Sequence, residues 1–119
     1  EYDVETGTIA NPTPFLAPDA APGQPDGVAV DEDGCLWMAR FGGGCVLRLS
    51  PEGRIIGRID LPTTNVTSCA FGGVDLKTLF ITTATALLSD AERAAQPMAG
   101  ALFAVRPGVG GVPEARMAV

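Results

Sequence analysis

Asp26 stands between Pro25 and Gly27 in the stretch QPDGVAVDEDGCLWMARFGGGCVLR, residues 24–48. Proline fixes φ on one side and glycine tolerates unusual φ/ψ on the other, so the carboxylate is set on a shaped turn at the mouth of a strand. Metal ligands are presented this way, and so are the aspartates of many ordinary turns. Two further groups have side chains able to do chemistry. Asp31, Glu32 and Asp33 precede Gly34, but the spaced acceptors and closing glutamate of an EF-hand do not follow, and a solvated hairpin turn is expected. Thr67 and Ser68 supply two hydroxyls, which either hydrogen-bond a substrate or cap a strand.

The rest of the composition narrows the chemistry. The chain has no histidine, which removes every Ser/His and Cys/His pair and every His-based zinc arrangement. Any metal is therefore held by oxygen ligands or thiolates. The formal charge is −6 and the eight Lys and Arg are scattered, which argues against nucleic acid as a partner, since phosphate binding needs a basic face. Cys35, Cys45 and Cys69 are odd in number, lack CxxC spacing and sit in apolar stretches; buried free thiols in a reducing cytosol are expected. No apolar run approaches the ~18 residues that span a bilayer, and no basic-then-apolar signal opens the chain, so a cytoplasmic protein without a membrane partner is expected. Asn65-Val66-Thr67 fits the glycosylation pattern, which without an export signal is an accident of composition.

The elements that must position these side chains are short. Fifteen glycines and ten prolines in 119 residues suit strands joined by tight turns, not a helical bundle, and 46% hydrophobic residues suffice for the core of one domain. Tyr2, Val4 and Ile9 flank a Glu5-Thr6-Gly7 turn and read as a hairpin. The chain thus opens on a strand, and sequence upstream of it is expected. Pro18, Pro22 and Gly23 mark a surface connection that leads to Asp26. From Val28 the period is two, and turns at 32–34, 42–44 and 50–53 divide residues 26–62 into four antiparallel strands, the unit of a propeller blade.

The unit occurs again. Leu79-Phe80-Ile81-Thr82 lies under Leu36-Trp37-Met38-Ala39, Thr67 and Ser68 fall where Asp26 stands, and residues 100–107 lie on residues 44–51. A fourth strand is expected at 111–117. An insertion at 84–99 contains Ser89 and Glu92 at capping-box spacing and Pro97 as a stop, which predicts a short helix near 88–96. The fold expected is an all-β propeller segment of about two and a half four-stranded antiparallel blades. Residues 1–17 form the second half of one blade, 18–25 a linker, 26–62 one blade and 63–119 the next. Closure takes at least ~4 blades, so missing blades or another chain must complete it. Trp37 is expected to pack between blades rather than line a sugar site.

In their order, the segments 25–31, 34–39 and 43–48, then Leu61-Pro62, 67–73, 79–84 and 100–103, resemble the C-terminal part of the regucalcin (senescence marker protein), gluconolactonase and luciferin-regenerating enzyme family. The resemblance covers nearly the whole chain. It implies a six-bladed propeller with one divalent metal ion (Ca²⁺, Mg²⁺, Zn²⁺ or Mn²⁺) in its channel, hydrolysing small-molecule sugar lactones. It further implies that Asp26 is a metal ligand and the proton-transferring catalytic group; Thr67 and Ser68, which hold the place of Asp26 in the second blade, are then expected to face the same channel. The family's other two ligands, a glutamate and an asparagine, have no counterpart here. A single carboxylate makes a weak site, since Ca²⁺ takes ~6 to 8 oxygens, and the 119 residues alone are expected to be inactive. The alternative is a non-catalytic calcium-binding or self-assembling propeller segment.

Overall fold

The computed structural model describes residues 1–115. The architecture is all-β with antiparallel sheets, and one short helix interrupts it. At the start, β1 (Tyr2–Asp3) and β2 (Thr8–Ile9) form a two-stranded sheet. Asp3 makes the turn between them by accepting from the backbone N–H groups of Glu5 (2.9 Å) and Thr6 (3.1 Å), the Asx geometry that lets one side chain stand in for a backbone turn.

The principal sheet runs β3 (Gln24–Val30), β4 (Leu36–Phe41), β5 (Cys45–Leu49) and β6 (Ile55–Asp60) in sequence order. Each neighbour is antiparallel because the linking turns are too short for anything else. Gly53, in the turn between β5 and β6, is also approached closely by the chain at Phe15. Its φ is +79°, and a Cβ there would overlap the carbonyl of Phe15, so only glycine fits. The next sheet has three strands, β7 (Val66–Gly72), β8 (Thr78–Thr83) and β9 (Leu102–Val105).

The two larger sheets pack face to face, because each has an apolar set at every second residue. Trp37, Ala39 and Val46 from the first meet Val66, Cys69, Leu79 and Ile81 from the second, and the ring of Phe71 stands edge-on to Trp37 at 6.1 Å. Trp37 is 4% exposed and belongs to this core. On the other face of the first sheet Met38, Cys45, Leu47 and Leu49 are covered by Leu16 and Ala21.

Two features differ from expectation. Residues 112–115 form no strand; Gly111 instead makes an isolated bridge with Asp31, and residues 116–117 lie outside the described part of the chain. The bridge draws this segment across to the first sheet, where the N–H of Glu32 donates to the carbonyl of Gly110 (2.8 Å) and the N–H of Gly110 donates to Glu32 Oε1 (2.8 Å). The Asp31–Gly34 turn is likewise not solvated throughout, since Asp31 is 1% exposed. The insertion does contain a helix, α1 (Asp90–Ala95), N-capped by Ser89 in a capping box with Glu92.

Candidate functional site

β3 and β7 are the strands through which the two sheets meet most closely. Both carry a bulge. On β3 the pairing with β4 slips between Pro25 and Val28, and on β7 the pairing with β8 slips between Val66 and Ser68. An extra residue on one strand of an antiparallel pair breaks the ladder and re-aims its side chains. Asp26 and Gly27 are the residues in the first bulge and Thr67 is the one in the second. The two bulges touch, since a Cβ on Gly27 would overlap Ser68. The structure therefore brings Asp26, Thr67 and Ser68 to one end of two adjacent strands.

Asp26 is exposed, and its carboxylate takes no part in any ion pair of the described residues. Thr67 and Ser68 are half-buried. The Thr67 hydroxyl shares a hydrogen bond with that of Thr82 at 2.8 Å, and Thr82 Oγ1 lies 3.5 Å from the Ser68 carbonyl as a donor. An exposed carboxylate with no ion-pair partner among the described residues can accept a proton, take a cation or bind a sugar hydroxyl, and its neighbour Gly27 touches the strand that carries the two hydroxyls. Among the described residues no group of three or more His, Cys, Asp or Glu converges. Asp26 suits an oxygen-preferring divalent cation as one donor of several, and the described residues do not supply a full set.

A cavity of about 330 Å³ lies further along the same two strands, lined by Val28, Val30, Ala70, Phe71, Leu76 and Val112 among others. It contains neither Asp26 nor either hydroxyl. Its walls are mainly apolar, and Glu114 also lines it.

The insertion sits at the bulge end, because it leaves β8 just after Thr83, the partner of Val66. The side-chain oxygen of Gln96 accepts from the Thr64 N–H (2.7 Å) and from the hydroxyls of Thr63 and Thr64 (3.1 Å each). Asn65 Nδ2 donates to the Ala86 carbonyl at 2.7 Å. These bonds fasten both ends of the insertion to the segment that enters β7.

The acidic turn has a structural role. Asp31 Oδ1 accepts from the N–H groups of Asp33 (3.0 Å) and Cys35 (2.9 Å), and Oδ2 accepts from Trp37 Nε1 (2.8 Å) and Arg48 Nε (2.8 Å). Arg48 also reaches Asp33 at 2.7 Å and lies 5.8 Å from the Trp37 ring centre. Burial alone would raise the Asp31 pKa, but the bonds from Arg48, Cys35 and Trp37 outweigh it and hold the carboxyl below its ordinary range. With every lone pair taken, Asp31 is no ligand. Asp31 falls on the parity of Ala29, which packs against the core while Val28 and Val30 are exposed, and a carboxylate on that inward side needs a partner, as does Arg40 within the apolar run LWMARF. From the sequence Asp31 reads as part of a solvated turn and Arg40 carries no assigned role.

All three cysteines are free and buried. Burial pushes the Cys69 thiol up to about 11 and raises that of Cys45. Neither is a thiolate nucleophile near neutral pH.

The family model for the SMP-30/Gluconolactonase/LRE-like region matches residues 1–85. The 6-deoxy-6-sulfogluconolactonase of Pseudomonas putida is 50% identical over 92 residues, 77% of this chain and 32% of that protein. Pentonolactonase XacC of Haloferax volcanii is 41% identical over 119 residues, 97% of this chain and 41% of that protein. The crystal structure of a calcium-binding protein, regucalcin, from Agrobacterium tumefaciens str. C58 superposes with a TM-score of 0.81 at 32% identity, over 92% of this chain and 38% of that one. This chain thus spans between 32% and 41% of the length of these three proteins.

Proposed function

Because the chain belongs to the SMP-30/gluconolactonase/LRE-like family, we propose that it is part of a divalent-metal-dependent sugar-lactone hydrolase in which Asp26 is a metal ligand and the proton-transferring group. Relatives named for lactone hydrolysis support the substrate class. The observation that carries the role of Asp26 is its place: an exposed carboxylate, without an ion-pair partner among the described residues, on a bulge where the edge strands β3 and β7 meet. The remaining ligands, and the blades that complete a six-bladed ring, come on this reading from parts of the protein outside this chain.

Opening a lactone requires addition of water to the carbonyl carbon, cleavage of the ring C–O bond, and movement of one proton from the water to the departing ring oxygen. Asp26 accepts that proton and returns it to the ring oxygen, so a single carboxylate serves as base and then as acid. A divalent cation, when bound, supplies Lewis acidity toward the carbonyl and lowers the pKa of water. Thr67 and Ser68 orient sugar hydroxyls beside Asp26.

The test uses the full-length protein and compares Asp26→Asn with wild type for turnover of an aldonic-acid lactone. Loss of about 10² to 10⁴ in kcat/KM is expected, and unchanged turnover in the folded variant overturns the reading. The regucalcin neighbour, described as a calcium-binding protein, favours a second reading, a calcium-binding protein without hydrolysis. Wild-type Ca²⁺ binding that is lost in Asp26→Asn, with no lactone turnover in either, would decide for it.

A further inference from the structure

We propose that Arg40 is a positioning residue for Asp26, its buried guanidinium holding the backbone at residues 21–23 that delivers the aspartate to its bulge. The proposal rests on the reading of Asp26 as a cation ligand. Arg40 lies within β4 and is 2% exposed. No ion pair among the described residues includes it. Its Nε donates to the Pro22 carbonyl (3.0 Å), and its Nη2 donates to those of Ala21 (2.8 Å) and Gly23 (2.6 Å). Among the described residues Nη1 meets the Met38 sulfur, at 3.8 Å.

A buried charge without a countercharge is expensive unless its hydrogen bonds are satisfied. Here three successive carbonyls do that work, and in return one rigid fork fixes three residues. The same segment is confined from outside. A Cβ on Gly23 would overlap Gly43, and one on Gly43 would overlap the Pro22 carbonyl. Gln24 and Pro25 then pair with Phe41 and Arg40 before the ladder slips at Asp26. A bulge residue has no ladder partner of its own, so the placement of Asp26 depends on the anchored residues just before it. Lysine keeps the charge but not the fork, and it cannot hold three carbonyls in one plane.

The experiment measures calorimetric Ca²⁺ and Mn²⁺ affinity, with thermal melting, on full-length wild type, Arg40→Lys, Asp26→Asn and the exposed control Arg58→Ala. Arg40→Lys is expected to bind about 10- to 100-fold more weakly, the effect of losing a residue that orients a ligand, in a protein that melts at a lower temperature than wild type but is fully folded at the assay temperature. Arg58→Ala is expected to bind as wild type. If Asp26→Asn abolishes binding while folded Arg40→Lys binds normally, positioning by Arg40 is overturned and the ligand reading survives. If Asp26→Asn binds normally, or wild type binds neither ion, the ligand reading is overturned and this proposal with it. Should Arg40→Lys not fold, amide exchange of the wild-type protein decides. Residues 23–27 are expected to be equally protected with and without Ca²⁺, and protection that arises only on adding Ca²⁺ would overturn the proposal.

Discussion

Asp26 and Asp31 flank the second paired stretch of β3, Val28 to Val30, and their surroundings are opposite. Asp26 is exposed and has no hydrogen-bond or ion-pair partner for its carboxylate among the described residues, whereas Asp31 is 1% exposed and accepts four hydrogen bonds. Mutation separates the two roles. Asp31→Asn places an amide N–H₂ against donors and leaves Arg48 with only the exposed Asp33, so a loss of about 3 kcal/mol is expected from breaking a buried pair. Denaturation with urea at pH 7 measures it. Because the folded pKa of Asp31 is lowered, its stabilisation is fully present above the unfolded value near 4 and is lost as pH falls through the folded pKa. The gap between wild type and Asp31→Asn must therefore narrow in melts run progressively below pH 4, and a gap that stays constant would remove Asp31 from the linkage. Gly27 gives a further case at this scale. Gly27→Ala drives a Cβ into Ser68 and is expected to cost about 1 to 3 kcal/mol as overpacking. Adding Ser68→Gly should recover only part of that in a double-mutant melt, because the Ser68 Cα also lies within the overlap.

Strands and turns were more legible in the sequence than the contacts that fix them. Alternation from Val28 to Val30 and the glycine-rich turns locate β3 to β6, since a half-buried strand writes its period into the chain. Capping-box spacing locates α1 for a similarly local reason. The anticipated strand at 111–117 rested on analogy between repeats, and tertiary pairing of Gly111 with Asp31 claims its first residue instead. The roles of Arg40 and Asp31 were not legible because alternation shows only that a polar side chain is turned inward and not which groups it bonds, carbonyls 17 to 19 residues away for Arg40 and turn N–H groups, Trp37 and Arg48 for Asp31. Asp26 was legible as a presented carboxylate, but the bulge contact that sets Gly27 against Ser68 is a three-dimensional fact. The insertion offers a test at this scale. Gln96→Ala removes three acceptor bonds to Thr63 and Thr64 on an element with no buried helical residue. Faster proteolytic cleavage within residues 84–99, with a change of no more than about 1 kcal/mol in global stability, is the expected outcome. A large global loss would show that the insertion is integral to the core.

At the scale of the molecule, the second of the two larger sheets has one face in the shared core and one that is open. Cys69, Phe71, Leu79, Ile81, Phe103 and Val105 fill the core, while their neighbours Ala70, Phe80, Ala104 and Leu102 are exposed, Leu102 at 65%. Cross-strand partners share a face: Ala70 opposes Phe80, Phe80 opposes Ala104, and Leu102 opposes Thr82. A sheet apolar on both faces is built to be covered twice. On the propeller proposal the next blade of the intact protein supplies that cover, which makes Leu102 a core residue there despite its exposure in this chain. Leu102→Ala in the full-length protein is then expected to cost about 2 kcal/mol, the transfer free energy of a buried leucine side chain. Leu87→Ala, at a residue 89% exposed within the insertion, should change stability by less than about 0.5 kcal/mol. Equal and negligible effects in thermal melts of the two variants would mean that nothing packs on the open face, and a ring built from successive blades would have to be abandoned.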